Sequence, residues 1–545
     1  MLQKPSAMRN ILFAFFGFLF TVMITSCKSN VEEYAYINPI ALKDKIAGGW
    51  AGKMIGVTYG APTEFRALSR IYEDSITWKP TDSWQSMWQD DIYVQLTFLM
   101  TMDAEGIDAP AKKFQEMFAK AGYMLWHANM QARKNFYDSI FPPASGSPEF
   151  SMHSDDIDFQ IESDYLGFMC PGMPQTASKM ADKIGRIMNY GDGLYGGIFV
   201  AALYSEAFFE SDIQIIIEKA LKSIPKESDY YKVVEDVLKL HKHYPADWKE
   251  AWKELEAKWG TVDICGAGAP FNIDAKLNGA YIVMGLLYGD KDPLKTMEIA
   301  TRCGQDSDCN PSNAMAVLGV IKGFSGLPEK MQMGVLSASD STFIHTSYTL
   351  NSAILSTNNY ALDLIKANGG TVNEKEIKIK IQEGKAPTFE DSYPNVVFDR
   401  EISIFEEGKW IFKGDWKVFE QNTQPQNTPV KQSMFSENSG DELILNFEGT
   451  GISIEGNWVK DGGKADLFVD GALHRSIDTY YFFANQEHTT SMWHALNLAP
   501  GKHEVKLVVK GEGRPESEGK RIYITKALIF KTADKANQDF KFSFE

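Results

Sequence analysis

With 545 residues and a formal charge of −17 at pH 7, the chain has room for two to four domains at roughly 100–200 residues each. It is too acidic to grip nucleic acid or an anionic membrane surface, both of which need a basic face. Hydrophobic residues make up 44% of it and aromatics 12%, enough for large cores, and a neutral, sugar-like substrate or a bound cation suits it better than a polyanion.

The chain opens on MLQKPSAMRNILFAFFGFLFTVMITSCKSN, where Lys4 and Arg9 precede an apolar run from Ile11 to Ile24 and small residues lead to Cys27. This is the pattern of a secretory leader over residues 1–26, with an apolar run too short for a comfortable membrane span. The cysteine at the cleavage point resembles a bacterial lipobox. Cys27 is therefore expected to carry lipid, with residues 27–39 a tether holding the protein in the cell envelope. The remaining cysteines, Cys170, Cys265, Cys303 and Cys309, show no CxxC spacing, so neither a zinc ribbon nor a disulfide framework is indicated. A Cys303–Cys309 pairing stays open.

Residues 40–384 read as helical. Stretches such as APAKKFQEMFAKAGYMLWHA and DWKEAWKELEAKWG have 3.6-residue periodicity, and small-residue faces such as GGIFVAALYSEAF suit close helix packing. Trp248, Trp252 and Trp259 form a stripe that belongs to a core. Residues 385–399, including EGKAPTFEDSYPN in part, read as a linker. From 400 to 545 the pattern alternates with period two, as in ELILNFEGTGISIEG and HEVKLVVKG, between turns at SENSGD, KDGGK and APGKH. The expected fold class is an all-α domain followed by an all-β, jelly-roll-like sandwich.

Two pairs of acids stand out. Asp306 and Asp308, in CGQDSDCNPSN, precede a helix started by Pro311 and Ser312, and capping that helix needs one acid, not two. A calcium loop of the EF-hand type is excluded, because Pro311 stands where it needs glycine and Val317 where it needs glutamate. Asp90 and Asp91, in WQDD, open the periodic run IYVQLTFLMTM. Adjacent carboxylates repel unless solvated, protonated or bridged by a cation. With Glu64 in GAPTEF, they point to a cleft for a hard divalent ion, Mg²⁺ or Mn²⁺.

The segments KIAGGWAGKMIGVTYGAPTEF, WQDD, GLYGGIFVAAL and NGAYIVMGLLYGDKDPLKTMEIATRCGQDSDCNPSNAMAVLGVIKGFSGLP together resemble the ADP-ribosylglycohydrolase family, in family order from about residue 43 to 330. The resemblance implies an all-α fold that binds two divalent ions, usually Mg²⁺, and cleaves a ribosyl glycosidic bond. Asp90 and Asp91 match the paired aspartates of the family's Thr-Asp-Asp motif, and Asp306 and Asp308 match its late Asp-x-Asp-Thr motif. Glu64 resembles the acid after the first glycine-rich helix. Gln89 and Cys309 stand where the family has threonine ligands. The Gln89 carbonyl still suits a hard cation and the Cys309 thiol suits it poorly, so one of the two ion positions is expected to be altered. Asp91 or Glu64 is the expected general base.

For the substrate, DFQIESDYLGFMCPGMPQTA and NYGDGLYGG suggest a cleft-lining loop, with Asp164, Asn189, Tyr190 and Tyr195 as contacts and Asn310 beside the late acids. The C-terminal part resembles galactose-binding-like sandwiches. Its Trp458, Tyr480, Tyr481 and Trp493 either stack on sugar or fill the core. Two function classes follow. One is a metal-dependent glycohydrolase outside the cytoplasm acting on a glycan, nucleoside or ADP-ribosyl substrate. The other is a sugar- or nucleotide-sugar-binding protein on a degenerate hydrolase scaffold.

Overall fold

Glycines recur every fourth residue in GGWAGKMIGVTYG, at Gly48, Gly52, Gly56 and Gly60, and so fall on one face of a helix. In the computed structural model, which describes residues 33–261, 263–421, 431–483 and 489–545, that face lies directly on a second helix. A Cβ at these four positions would collide in turn with the backbone oxygens of Gly319, Met315, Pro311 and Ser307. The order of contacts makes the two helices antiparallel and fixes their register. The leader and Cys27 lie outside the described residues.

The elements that matter for the site are α1 (Pro39–Gly60), α2 (Asp90–Glu105), α3 (His127–Tyr137), α4 (Gly191–Ala207), α5 (Ala275–Tyr288) and α6 (Cys309–Lys322). Asn38 caps α1 by accepting from the Ala41 amide at 2.8 Å, with Pro39 at the first helical position. α1 pairs with α6, and α4 and α5 are buried along nearly their whole length. The tryptophan stripe is core: Trp252 and Trp259 are buried and donate to the Cys303 carbonyl and to Asp236, each at 3.0 Å.

Two sequence boundaries need correction. Within the expected tether, Tyr34–Ile37 is a strand that pairs antiparallel with Ile377–Lys380, which also pairs with Thr371–Val372. The helical part thus carries a small sheet that ties its two chain ends together. The expected linker ends early, because Val396–Ser403 is already a strand paired with Ile522–Thr532. The rest of that stretch is anchored: Tyr393 is buried and its hydroxyl donates to the Ser151 carbonyl at 3.1 Å.

The C-terminal part consists of two antiparallel sheets. One has five strands in the order 472–478, 464–469, 501–509, 442–449, 410–413. The other has the order 489–495, 451–457, 522–532, 431–436, 417–421, with 396–403 joined to 522–532. Alternate residues such as Val505, Leu507 and Val509 point inward. Trp458, Tyr481 and Trp493 are buried, and Tyr480 lies under the Arg514 guanidinium, so these aromatics serve packing. The sandwich rests on the helices through Arg514, which pairs with Asp138 at 2.6 Å, and through His494, which meets the Pro148 carbonyl at 2.7 Å. The C-terminal tail returns to the helices, where Phe544 stacks on His243.

Candidate active site

The register of α1 against α6 brings the residues after Gly60 beside the turn before Cys309. Thr63 and Ser307 share a hydrogen bond of 2.8 Å, which sets Glu64 against Asp306 and Asp308. One oxygen from each of these three acids lies within 4.8 Å of the others. They face a cleft of about 750 Å³, whose wall also includes Gln89, Asp90 and Cys309, with Glu455, Thr490 and Ser491 supplied by the sandwich. Trp88 and Trp126 line the same cleft with 51% and 39% of their surface exposed. They give the cleft two exposed aromatic faces.

Capping accounts for part of the acid. Asp308, the cap of α6, accepts from the Cys309 amide at 2.9 Å, whereas Asp90, inside the first turn of α2, accepts from the Asp91 amide at 3.2 Å without capping that helix. It does not account for Asp306, whose Oδ1 is buried without a hydrogen-bond partner. Crowding of like charges is visible in the acidities. Glu64 is exposed toward the cleft, yet partial desolvation there, then Asp308, Asp90 and Asp91, raise it to about 9. Burial and Asp91 raise Asp90 to about 6, while burial with Glu64 and Asp91 raises Asp306 to about 7. Burial and Asp306 push Asp308 up as well. An all-oxygen donor set with a buried oxygen left unpartnered fits a hard divalent cation.

Asp91 is placed differently from the expectation. It lies beneath the cleft, fully buried, with Oδ1 paired to Lys53 at 3.1 Å and Oδ2 accepting from the Cys309 thiol at 3.3 Å. One ligand atom each of Asp91, Asp308 and Cys309 also converge within 4.8 Å. This second group contains a thiol and already has an ammonium beside it, so it fits a hard ion less well than the first. Lys53 went unremarked in the sequence, although a lone lysine inside AGGWAGKMIG, on a helix buried on nearly all sides, was the available signal.

Five expected substrate contacts do not line the cleft. Asp164 is fully buried, paired with Lys53 at 3.1 Å and accepting from Tyr204 at 2.5 Å and Asn313 at 3.1 Å. Asn189 donates to the Ser154 and Asp156 carbonyls at 2.9 and 2.8 Å, pinning their loop. Tyr190 lies under Arg186, and the Tyr195 hydroxyl accepts from the Glu390 amide at 2.7 Å. Asn310 is buried and donates to Asn278 at 3.0 Å. Most of their polar atoms serve internal hydrogen bonds, a demand that burial imposes on polar side chains, although Asn310 Oδ1 is buried without a partner. All four described cysteines are free, so Cys303 and Cys309 are not joined.

A family model described as ADP-ribosylglycohydrolase matches residues 38–349. The chain belongs to the ADP-ribosylglycohydrolase family. Among solved structures, an ADP-ribosylglycohydrolase-related protein complex is 13% identical with a TM-score of 0.41, covering 59% of this chain and 99% of that one. A family 36 carbohydrate-binding module in complex with calcium and xylotriose is 14% identical with a TM-score of 0.17, covering 24% of this chain and all of the module. No curated protein matches.

Proposed function

We propose that this chain is a divalent-metal-dependent glycohydrolase that cleaves an N- or O-glycosidic bond of a ribosyl or other glycan substrate. The observation that carries the reading is the convergence of Glu64, Asp306 and Asp308 on the cleft, with Asp306 Oδ1 buried and unpartnered. These three would hold Mg²⁺ or Mn²⁺, with Asp90 and the Gln89 carbonyl beside them. When bound, such an ion supplies Lewis acidity for the oxygens of substrate and water.

The chain's own residues do the rest. Glu64 faces the cleft and, with its pKa at about 9, holds a proton at neutral pH until a neighbouring cation favours its charged form. As a carboxylate it can take a proton from the attacking water, the role that the buried, doubly engaged Asp91 is badly placed to fill. Asp91 instead positions Cys309. Trp88 and Trp126 would present apolar faces to the sugar.

The alternative, a binding protein on a degenerate scaffold, draws support from the Lys53 ammonium and the Cys309 thiol at Asp91. A screen of glycosides and nucleotide sugars with added Mg²⁺ and Mn²⁺ separates the two. Turnover that chelator abolishes and Glu64→Gln lowers by about 100-fold or more, as expected for loss of a general base, supports the hydrolase. Tight ligand binding without turnover supports the binding protein.

We further propose a cell-envelope lipoprotein, on the strength of Lys4, Arg9, the run Ile11–Ile24 and Cys27. No described helix is long and apolar enough to cross a membrane. Cys27→Ser is expected to move the protein from membranes to the soluble fraction, and retention in membranes contradicts the lipobox.

A further inference from the structure

Four donors that the sequence scatters over a span from 127 to 265 meet at one point of the cleft wall. His127 is the first residue of α3, His153 and Asp156 belong to the segment before the helix Asp158–Glu162, and Cys265 comes from the loop before α5. Their ligand atoms all lie within 4.8 Å of one another. Cys265 Sγ is 3.0 Å from His153 Nδ1 and 3.9 Å from His127 Nδ1. Asp156 Oδ2 is 2.8 Å from His153 Nδ1 and 3.6 Å from His127 Nδ1.

The arrangement is not that of a thiol–imidazole–carboxylate relay. In a relay the nucleophile and the orienting acid contact opposite nitrogens of the imidazole, so that one proton enters as another is held. Here both Cys265 and Asp156 approach the same nitrogen, Nδ1 of His153, and Nδ1 of His127 faces the same point. Four donors aimed at one centre is the geometry of a metal site. Ligands at about 2.0–2.3 Å from a tetrahedral ion stand roughly 3.3–3.7 Å apart, and the four separations bracket that range.

We propose that His127, His153, Asp156 and Cys265 bind a zinc-class divalent ion in tetrahedral coordination, at a site distinct from the carboxylate cluster. One thiolate and one carboxylate balance the dication while two neutral imidazoles complete the shell. Sulfur and imidazole donors select zinc over magnesium, whereas the all-oxygen set at Glu64, Asp306 and Asp308 does the reverse. The one cleft therefore sorts two kinds of cation by donor chemistry.

The surroundings hold the ligands in place before any ion arrives. Phe271 stacks on His127 with ring centres 5.5 Å apart. Asn189 fixes the Asp156 carbonyl at 2.8 Å, and the Ile157 amide donates to the Ile273 carbonyl at 3.0 Å, joining the His153–Asp156 segment to the loop that follows Cys265. Asp158 accepts from the Ala128 and Asn129 amides at 3.3 and 3.1 Å, seating the start of α3. Supports of this kind orient metal ligands. With four protein donors the shell is closed, so the ion ties three cleft-lining segments together and takes no part in the hydrolytic step.

The test uses the full chain, stripped with chelator and titrated with Co²⁺ as a spectroscopic stand-in for zinc. The expected result is one equivalent of Co²⁺ with the intense visible bands of tetrahedral cobalt and a thiolate-to-cobalt charge-transfer band, any Co²⁺ at the carboxylate cluster adding only the weak spectrum of octahedral cobalt. Zn²⁺ should bleach both, and a large excess of Mg²⁺ should leave them. Cys265→Ser should lose the charge-transfer band and His153→Gln should weaken Co²⁺ binding by at least about 10-fold. A wild type with only the weak spectrum of octahedral cobalt overturns the proposal, as does a charge-transfer band that survives in Cys265→Ser or is displaced by Mg²⁺. The wild-type spectrum decides the point even if a variant fails to fold.

Discussion

Lys53 Nζ stands 3.1 Å from Asp91 Oδ1, and neither side chain is exposed. Burial opposes the charge on Lys53, but Asp164 and Asp91 outweigh it and raise the pKa of the ammonium. The same nitrogen reaches Asp164 at 3.1 Å and the Ile161 carbonyl at 2.8 Å, so every direction it points in has an acceptor. A fixed cation of the protein thus neutralises acids beneath the cleft, while among the described residues no lysine or arginine pairs with Glu64, Asp90, Asp306 or Asp308.

Removing that cation should be costly. Lys53→Met leaves two buried carboxylates uncompensated, and breaking a buried ion pair in this way costs about 3–5 kcal/mol. Urea unfolding followed by circular dichroism measures it. A loss below about 1 kcal/mol would show that the site relaxes or hydrates and that Lys53 is not the partner on which Asp91 depends.

Stability of the metal-free protein should fall as pH rises. Glu64 shifts from 4.5 to about 9, Asp306 from 3.8 to about 7 and Asp90 from 3.8 to about 6. Between the ordinary and the raised values the folded chain keeps protons that the unfolded chain has released, so each step up in pH favours unfolding. In chelator, Tm is expected to drop between about pH 5 and pH 8.5, and saturating Mg²⁺ or Mn²⁺ should flatten that drop by stabilising the charged carboxylates. A Tm that climbs through this interval in chelator contradicts the crowding of acids.

The paired acids were legible because adjacent or alternate carboxylates before a helix leave a mark in the sequence, as Asp90 with Asp91 and Asp306 with Asp308 do. The small-residue face in GGIFVAALYSEAF likewise announced close helix packing. What the sequence did not disclose was direction. Asp91 and Asp90 are neighbours, yet one points under the cleft to Lys53 and the other lines it. Asn189 and Tyr195 sit in a glycine-rich stretch that looks like a ligand loop, and only the fold shows their polar atoms spent on the segments 154–159 and 388–390. His127, His153 and Cys265 have no fixed spacing, because separate loops deliver them. The i, i+3 pair His153 and Asp156 was their one local trace.

Tyr195 distinguishes the two assignments directly. Tyr195→Phe removes the hydroxyl that anchors Glu390 and should cost about 0.5–1.5 kcal/mol, the usual worth of one such hydrogen bond. Substrate KM should not change, since the side chain does not line the cleft. A tenfold rise in KM at unchanged stability would return Tyr195 to the substrate site.

Binding of a hard divalent cation by Glu64, Asp306 and Asp308 can be read by calorimetric titration of Mg²⁺ and Mn²⁺ into the wild type and Asp308→Ala. The wild type should bind with a saturable isotherm that Asp308→Ala loses, while in the metal-free state the lost helix cap of the variant is set against relief of the carboxylate crowding. Indistinguishable isotherms, or a wild type that binds neither ion, would contradict the metal site and leave Asp308 as a helix cap alone.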